Sequence, residues 1–335
     1  MRTNTTWTDA TVVAHRDITP TVREFLLRPA HDGAAGCGGW PPGAHLQVQL
    51  LVDGRPETRS YSLVGAPDDA AWRIAVKRLD DGRGGSRAMW QLAPGDRLAV
   101  GGPQNHFPLD RGASAYLLVA GGIGVTPMLR MAQALCEPVP HAAGAAPAPV
   151  RMLYGVRSEQ DLAYGDTLRA LLGDALAVRV SDRGESIDFA AEIATLPPGA
   201  QMLVCGPVPM LDAARRAWQA AARPAADLRF ETFGSSGRFA PQAFRVQMPR
   251  HALDILVPAG CSLIDALEGA GVQTLSDCRR GECGLCAMDV LAVEGEIDHR
   301  DVFLSEHEKQ GNLRICACVS RVVGSVTLDS AFRSD

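Results

Sequence analysis

The chain has 335 residues, of which 46% are hydrophobic and 21% charged, and its formal net charge is -5. This composition is typical of a globular protein with two or three domains, and the small acidic excess gives no support to nucleic-acid binding. No stretch approaches the roughly 18 consecutive apolar residues that a membrane-spanning helix needs. Residues 1–7 contain no apolar run like that of a signal peptide, so we expect a cytoplasmic protein with no membrane partner.

The first part of the chain, up to about residue 111, is typical of a small antiparallel domain. The segments 11–14, 22–27 and 45–50 alternate apolar and polar residues with a period near two. Glycine and proline clusters such as residues 38–43 separate these segments. The pattern predicts an antiparallel barrel or sandwich.

From about residue 112 the pattern changes to that of an α/β domain. An apolar strand at 115–120 is followed by a glycine turn and a helical pattern over 127–135. Further strands are predicted at 150–154, 177–180 and 202–205, and a further helix at 211–223. Strands that alternate with helices in this way form a parallel sheet, which we predict for residues 112–234.

A segment rich in Gly, Ser and Pro then predicts a flexible linker at 235–243. The last part of the chain, 244–335, begins with a predicted hairpin of strands at 244–248 and 253–257, followed by a short helix at 262–270.

Five of the nine cysteines lie in this last part of the chain. Cys278, Cys283 and Cys286 have the spacing C-x4-C-x2-C, and a further cysteine follows about thirty residues later. This is the spacing of a plant-type [2Fe–2S] cluster, in which three thiolates on one loop wrap the cluster and a distant thiolate closes it. Glycines at 281 and 284 allow the backbone to approach the sulfurs. The alternative is a zinc knuckle, but only one C-x2-C pair is present.

Together with the segments Asp298-His299-Arg300-Asp301 and Cys318-Val319-Ser320-Arg321, this motif resembles the phthalate dioxygenase reductase and vanillate demethylase reductase family. The resemblance covers essentially the whole chain. It implies an FMN-binding β-barrel domain over 1–111, an NAD(P)-binding α/β domain over 112–234, and a plant-type [2Fe–2S] ferredoxin domain of the β-grasp fold over 244–335.

The fourth cluster ligand is either Cys316 or Cys318. Counting from Cys286 selects Cys316, whereas aligning the family segments selects Cys318 and requires two extra residues in a turn at 291–294. Such insertions are tolerated easily, but moving a ligand two residues along a strand shifts it by roughly 7 Å. We therefore favour Cys318 as the partner of the three loop cysteines.

Two segments of the first domain resemble the flavin-binding elements of this family. The first is Arg59-Ser60-Tyr61-Ser62. The resemblance implies that Arg59 binds the flavin phosphate, that Tyr61 lies against the flavin ring and that Ser62 hydrogen-bonds the redox-active ring nitrogen. The second contains Gly85 and Ser86, which the resemblance assigns to the flavin phosphate. Each motif alone is also typical of a strand edge or a turn. The remaining candidates for the flavin site are Lys77 and Gly84.

The glycine turn of the second domain resembles a nucleotide-binding turn, although it is not a strict G-x-G-x-x-G. A simple strand-to-helix turn is the alternative. The candidate cofactor-binding residues here are Gly121, Gly122, Gly124, Thr126 and Pro127.

A Cys-Gly-Pro segment, Cys205-Gly206-Pro207, follows another strand, and in the family it borders the nicotinamide. Cys205 is thus a candidate for the hydride-transfer site, or else a core cysteine. Glu231 and Phe233 resemble the segment that closes the flavin face. Arg157 and Ser158 would contact a 2′-phosphate if the cofactor were NADPH, but the family indicates NADH.

These observations predict an NADH-dependent reductase that passes electrons through FMN and a [2Fe–2S] cluster, one at a time, to a separate oxygenase, expected to be of the Rieske type. Its catalytic candidates are Ser62, Cys205 and Glu231. Alternatives are electron delivery to a cytochrome P450 or to a small acceptor. A non-enzymatic ferredoxin-type carrier is a further hypothesis, which the flavin and glycine motifs disfavour.

Overall fold

The residues that the computed structural model describes are 6–30, 39–52, 54–67, 71–80, 82, 84–137, 148–233 and 237–329. They fall into two compact units, one ending at Glu231 and the other beginning at Thr232. The first unit contains a six-stranded and a five-stranded sheet, and the second contains one five-stranded sheet. Within the described ranges, no helix is long and apolar enough to cross a bilayer.

The six-stranded sheet of the first unit is antiparallel throughout. Leu63, directly after its fourth strand, forms a bridge with Ile74 of the fifth, so the two outer strands meet and the sheet closes into the predicted barrel. Apolar side chains such as Phe25 and Leu46 fill its interior. The strand order is β4-β3-β6-β1-β2-β5, with β1 (Trp7–Thr19), β2 (Val22–Pro29), β3 (Ala44–Val52), β4 (Arg55–Ser62), β5 (Trp72–Lys77) and β6 (Arg97–Asn105), and helix α1 (Gly85–Gln91) connects β5 to β6.

The second sheet of this unit is parallel, as predicted. Its strands are almost wholly apolar because helices cover the sheet, and the central strand has no exposed residue. The strand order is β11-β10-β7-β8-β9, with β7 (Tyr116–Gly121), β8 (Val150–Val156), β9 (Leu176–Val180), β10 (Gln201–Cys205) and β11 (Leu228–Glu231). The connecting helices are α2 (Val125–Cys136), α3 (Gly165–Leu172), α4 (Phe189–Ala194) and α5 (Val208–Ala220).

The sheet of the second unit has the mixed topology of a β-grasp fold. Strands β12 and β16 are parallel and every other neighbouring pair is antiparallel. Helix α6 buries Leu263, Ile264 and Leu267 in the core of this unit, and the Ser262 hydroxyl caps its first turn. The order is β13-β12-β16-β14-β15, with β12 (Phe244–Met248), β13 (Leu253–Val257), β14 (Ala287–Asp298), β15 (Arg314–Cys316) and β16 (Arg321–Asp329), and the helices are α6 (Leu263–Gly269) and α7 (Glu306–Gln310).

Two sequence predictions near this sheet need comment. Residues 291–294, expected to be a turn, lie within β14, where a register shift between Val290 and Ala292 accommodates an extra residue as a β-bulge. The predicted linker at 235–243 lies partly outside the described residues. Its described part is hydrogen-bonded, since the Arg238 amide donates to Asp298 at 2.9 Å and the Phe239 carbonyl accepts from Arg300 at 3.0 Å. The domain boundaries themselves stay predictions.

Candidate functional site

Ser62, the last residue of β4, carries a buried hydroxyl group with no hydrogen-bond partner among the described residues. Leaving such a group unpaired costs about 1–3 kcal/mol, so native proteins rarely keep one without a ligand or water to satisfy it. The hydroxyl is therefore in a position to hydrogen-bond a ring nitrogen of a bound flavin. This fits the sequence prediction for Ser62.

Arg59 lies three residues earlier on β4 and packs over the start of α1. A Cβ atom added at Gly85 would lie 2.6 Å from the Arg59 Nε, so a side chain at this position would force the Arg59 side chain to move. Gly84 before it adopts a left-handed φ of 82°. The Ser86 hydroxyl accepts a hydrogen bond from the Leu79 amide at 3.0 Å. The Arg59 guanidinium forms an ion pair with the Glu57 carboxylate, and guanidinium and hydroxyl groups are both suited to a phosphate ligand.

The other flavin candidates also belong to the barrel. Tyr61 is half-buried and packs against the barrel core, and burial raises the pKa of its phenol, which stays neutral. Ser60 precedes it on β4 and pairs with Gln47 of β3. Lys77 ends β5, opposite Val22 of β2. Their contacts with a flavin stay predictions.

The two glycine-containing segments of the parallel sheet meet at the carboxyl ends of neighbouring strands β7 and β10. A Cβ at Gly121 would lie 2.6 Å from the Pro207 ring, and one at Gly124 would overlap the Cys205 carbonyl. Only residues without side chains allow this approach. The carboxyl edge of a parallel sheet is where α/β domains bind nucleotides. The structure thus brings together the two motifs that the sequence analysis took separately.

The remaining residues of these turns have defined local roles. Gly122 takes a left-handed φ of 53°, and the Thr126 hydroxyl donates to the Ile123 carbonyl at 3.0 Å, which fixes the start of α2 next to Pro127. Gly206 directly follows β10. Thr126 therefore stabilises the turn, and direct contact between its hydroxyl and a nucleotide stays a prediction.

Cys205 and Glu231 are register partners on β10 and β11, and both side chains are buried. Cys205 has no exposed surface, which fits the alternative of a core cysteine as well as a residue behind the nicotinamide. Phe233, which follows Glu231 by two positions, is half-buried.

Arg157 and Ser158 follow β8 and have other partners. The Ser158 hydroxyl donates to the Asp161 carboxylate at 2.8 Å, in a capping box. The largely exposed Arg157 lies 3.6 Å from the Asp182 carboxylate. The acidic Asp182 neighbour weakens the attraction of Arg157 for a 2′-phosphate.

The cluster-binding loop places its cysteines in two pairs. In the first pair, the Cys283 amide donates to the Cys278 sulfur at 3.4 Å, and the two side chains are in hydrogen-bond contact. In the second pair, the Cys286 and Cys318 sulfurs are 3.2 Å apart and both buried. Cys316 is also in hydrogen-bond contact with Cys286. The pairs Cys278–Cys283 and Cys286–Cys318 match a cluster of two irons with two thiolates each.

Backbone amides of the loop point towards these sulfurs. The Arg280 amide donates to Cys278 at 3.4 Å, and the Gly281 amide donates to Cys318. Left-handed φ values at Arg279, Gly281 and Gly284 turn the loop so that its amides face inward. Hydrogen bonds from Cys316 and Cys318 lower the pKa of Cys286.

A network of buried polar residues supports the loop from outside. Asp301 has no exposed surface, accepts hydrogen bonds from the Leu304 amide at 2.9 Å and the Ser320 hydroxyl at 3.1 Å, and touches Gly281. Burial raises the pKa of Asp301, but the His299 ring 3.7 Å away and the hydrogen bond from the Leu304 amide outweigh this and lower it. From the other side, the Thr232 amide donates to the Glu282 carboxylate at 2.7 Å.

Two residues of these sites were not selected from the sequence. The Met210 sulfur lies against both Gly121 and Gly206, so it covers the paired glycine turns. Asp301 belongs to the segment that marked the family resemblance, but its support of Gly281 was not foreseen. A buried acidic residue next to a glycine-rich loop leaves no periodic pattern in the sequence. In the sequence, Met210 has the pattern of an ordinary apolar helix residue.

Three sequence families match the chain in order. Residues 9–108 match the oxidoreductase FAD-binding domain, residues 118–216 the oxidoreductase NAD-binding domain, and residues 250–323 the 2Fe-2S iron-sulfur cluster binding domain. The order agrees with the positions of the barrel, the parallel sheet and the cluster loop.

Individual proteins match over most of the chain. The phenoxybenzoate dioxygenase subunit beta of Ectopseudomonas oleovorans is 38% identical over 309 residues, covering 91% of each chain. A solved phthalate dioxygenase reductase superposes with a TM-score of 0.74 at 30% identity, covering 96% of this chain and 98% of the other. Full-length CYP116B46 of Tepidiphilus thermophilus gives a TM-score of 0.62 at 34% identity, covering 96% of this chain and 42% of that protein.

Proposed function

The chain belongs to the phthalate dioxygenase reductase family, and from that premise we propose that it is the NADH-dependent reductase of a multicomponent oxygenase, delivering electrons singly through FMN and a [2Fe–2S] cluster. FMN held in the barrel would supply a hydride acceptor, and a cluster held by the cysteine loop would supply a carrier of single electrons, which is the conversion that such an oxygenase needs. The observation that carries the proposal is the arrangement of four cysteines as two pairs on the same chain as a flavin element and paired glycine turns.

The residues of the barrel would hold and orient the flavin. Arg59 and Ser86 supply donors for its phosphate, with Gly85 next to the Arg59 side chain and Gly84 before it in a left-handed conformation, and Ser62 supplies the unpaired hydroxyl for the ring. Ser60, Tyr61 and Lys77 complete the proposed site. A guanidinium and a hydroxyl are suited to the terminal phosphate of FMN.

The parallel sheet would bind the nucleotide at the edge where β7 and β10 end. Gly121, Gly122, Gly124 and Pro127 line one turn, and Cys205, Gly206 and Pro207 line the other. We assign Cys205, Glu231 and Phe233 to the surroundings of the nicotinamide and the flavin face. NADH is the preferred donor in this proposal, since Asp182 lies next to Arg157.

Cys278, Cys283, Cys286 and Cys318 are the proposed cluster ligands. The 3.2 Å separation of the Cys286 and Cys318 sulfurs supports Cys318. The bulge in β14 accommodates one extra residue, whereas the alignment that selects Cys318 requires two. Cys316 is fully buried in β15 and is the alternative fourth ligand.

The proposed electron acceptor is a separate terminal oxygenase of the Rieske type; the similarity to the phenoxybenzoate dioxygenase subunit beta supports an oxygenase as the acceptor. The second candidate function is electron delivery to a cytochrome P450, which the similarity to CYP116B46 favours. A cytoplasmic location stays a prediction from the sequence.

The test is the visible absorption spectrum of the anaerobically purified full-length protein, before and after NADH addition, with iron and released flavin quantified. We expect FMN, two irons per chain, and bleaching of both the flavin bands and the iron–sulfur shoulder. A C278S/C283S variant should lose the shoulder but keep the flavin bleaching. Flavin without iron, or no bleaching with NADH, would contradict the proposal. Reduction of a purified Rieske protein but not of a P450 would separate the two acceptors.

A further inference from the structure

A buried hydrogen bond joins the barrel to the parallel-sheet domain within the first compact unit. The Tyr164 hydroxyl, at the N-terminal cap of α3, donates to Oε2 of Glu24 on β2 over 2.9 Å. Glu24 is 4% exposed and Tyr164 8% exposed. The two residues are 140 positions apart, so this contact exists only when the two domains are packed together.

Glu24 is placed for this contact by the alternation of its strand. Phe25 and Leu27 point into the barrel core, so Glu24 lies on the outer face of β2. Its second oxygen, Oε1, accepts from the Arg16 Nε at 2.8 Å and lies 3.7 Å from the Arg73 Nε. A buried carboxylate needs a hydrogen-bond donor or a cationic neighbour at each of its oxygens. Tyr164 is that donor for Oε2.

Tyr164 is held in an uncommon conformation to make this contact. Its φ is 58°, in the left-handed region that aromatic residues rarely adopt, and such conformations persist only where the surrounding structure fixes them. Burial and the negative charge of Glu24 both raise the pKa of the phenol. The hydroxyl therefore keeps its proton and remains a donor.

The contact lies close to the flavin element along the sheet. Arg73, the neighbour of Glu24, accepts a backbone hydrogen bond from Val64 at 2.9 Å, and Val64 follows Ser62 by two positions. Tyr164 belongs to the domain that carries the paired glycine turns. Hydride transfer requires the donor and acceptor atoms to be about 3–3.5 Å apart, and an error of about 1 Å costs roughly a hundredfold in rate. The rate of hydride transfer therefore depends on the relative position of the two domains.

We infer that Glu24 and Tyr164 are positioning residues for hydride transfer, and that their hydrogen bond holds the nucleotide domain on the barrel with the nicotinamide against the flavin. This inference rests on the proposed function, because it concerns the step in which NADH loses a hydride, with its two electrons, to the flavin and becomes NAD⁺. Neither residue needs to touch the reacting atoms.

The experiment compares the full-length holoprotein with its Y164F, E24Q and Y164F/E24Q variants, with Y154F as the control. Tyr154 is also a fully buried tyrosine, but it lies on β8 inside the parallel sheet. Anaerobic stopped-flow absorbance would give the limiting rate of flavin reduction and the apparent Kd for NADH. NADH deuterated at the transferred position would give the isotope effect at several temperatures.

We expect Y164F to lower the limiting rate about tenfold or more, with the Kd for NADH changed less than about twofold, because positioning affects the reaction rather than binding. Its isotope effect should become more temperature-dependent than that of the wild type, and Y154F should match the wild type. E24Q should reproduce the Y164F rate, and the double variant should add no further loss.

A Y164F rate equal to that of the wild type would overturn the inference, as would additive losses in the double variant. If Y164F fails to retain flavin, E24Q and its isotope effect decide the question in the same way. The outcome is separable from that of the proposed function: failure of the wild type itself to reduce its flavin with NADH contradicts the function, whereas equal rates in wild type and Y164F contradict only the positioning role.

Discussion

The sulfurs of Cys286 and Cys318 lie 3.2 Å apart although 32 residues separate them in the chain. Cys286 ends the cluster-binding loop and Cys318 follows β15, whose pairing with β14 sets Cys316 opposite Ala287. The strand pairing that forms the core of the second unit therefore also brings the fourth thiol to the loop. Because the position of Cys318 depends on folding of the whole unit, cluster binding and the stability of that unit are expected to be coupled.

The first prediction separates the two candidates for the fourth ligand. C318S should lose most of its iron, whereas C316S should keep two irons per chain, since Cys318, whose sulfur lies 3.2 Å from that of Cys286, is the proposed fourth ligand. Iron per flavin and the visible iron–sulfur shoulder measure this directly. Loss of iron from C316S with retention in C318S would reverse the assignment.

The second prediction concerns Gly281. G281A should lower cluster occupancy severalfold, because the new methyl group would lie 2.7 Å from a Val319 methyl carbon and 2.9 Å from the Asp301 backbone. Gly271 is a matched control, since its φ is +85° against +79° for Gly281 but it has no atom within 4 Å of an added Cβ. G271A thus carries the same backbone strain without the contacts, and should keep the cluster. Equal cluster loss in both variants, measured as iron per flavin, would attribute the effect to strain alone.

The third prediction concerns the unpaired hydroxyl of Ser62. S62A should lower the rate of flavin reduction by NADH roughly a hundredfold, which is the usual cost of removing one hydrogen-bond donor at a reacting group. The free energy of unfolding of the flavin-free protein should stay unchanged or rise by about 1 kcal/mol, because an unsatisfied polar group is removed. The exposed Thr58 on the same strand supplies the control, T58A. A stability loss in S62A with an unchanged rate would indicate that the hydroxyl has a structural partner instead.

The fourth prediction concerns the choice between NADH and NADPH. D182N should raise kcat/KM for NADPH relative to NADH about fivefold to tenfold, because Arg157 loses its acidic neighbour and gains the 2′-phosphate as a partner. D174N, on the surface of the same domain, should leave the ratio unchanged. The ratio is measured from initial rates of acceptor reduction with each cofactor. If the ratio is unchanged in D182N, the 2′-phosphate of NADPH binds away from Arg157.

Local features of the fold followed well from the sequence. The hairpin strands at 244–248 and 253–257 agree with β12 and β13 because their alternation is regular. Two helices begin earlier than predicted, α2 at Val125 rather than at residue 127 and α5 at Val208 rather than at 211. In both helices a proline lies within the first turn, where its missing N–H group has no intrahelical partner to lose. A proline at such a position marks the first turn of a helix, and the helix begins one or two residues before the proline.

Contacts between segments that are far apart in the chain could not be predicted from the sequence. The approach of Gly124 to the Cys205 carbonyl depends on β7 and β10 being neighbours in the sheet, and strand order has no local signal. The Glu24–Tyr164 hydrogen bond depends on domain packing in the same way. Its one trace in the sequence is an acidic residue between apolar positions of β2, which is equally typical of an ordinary exposed strand face.

The division between the compact units at Glu231 and Thr232 has an evolutionary consequence. Among the described residues, the chain passes from one unit to the other only at this peptide bond. A single crossover in the gene at this codon boundary can therefore add, remove or replace the electron-exit module without interrupting a strand, a helix or the core of either unit. Natural selection can change the recipient of the electrons while the machinery that collects them is inherited intact.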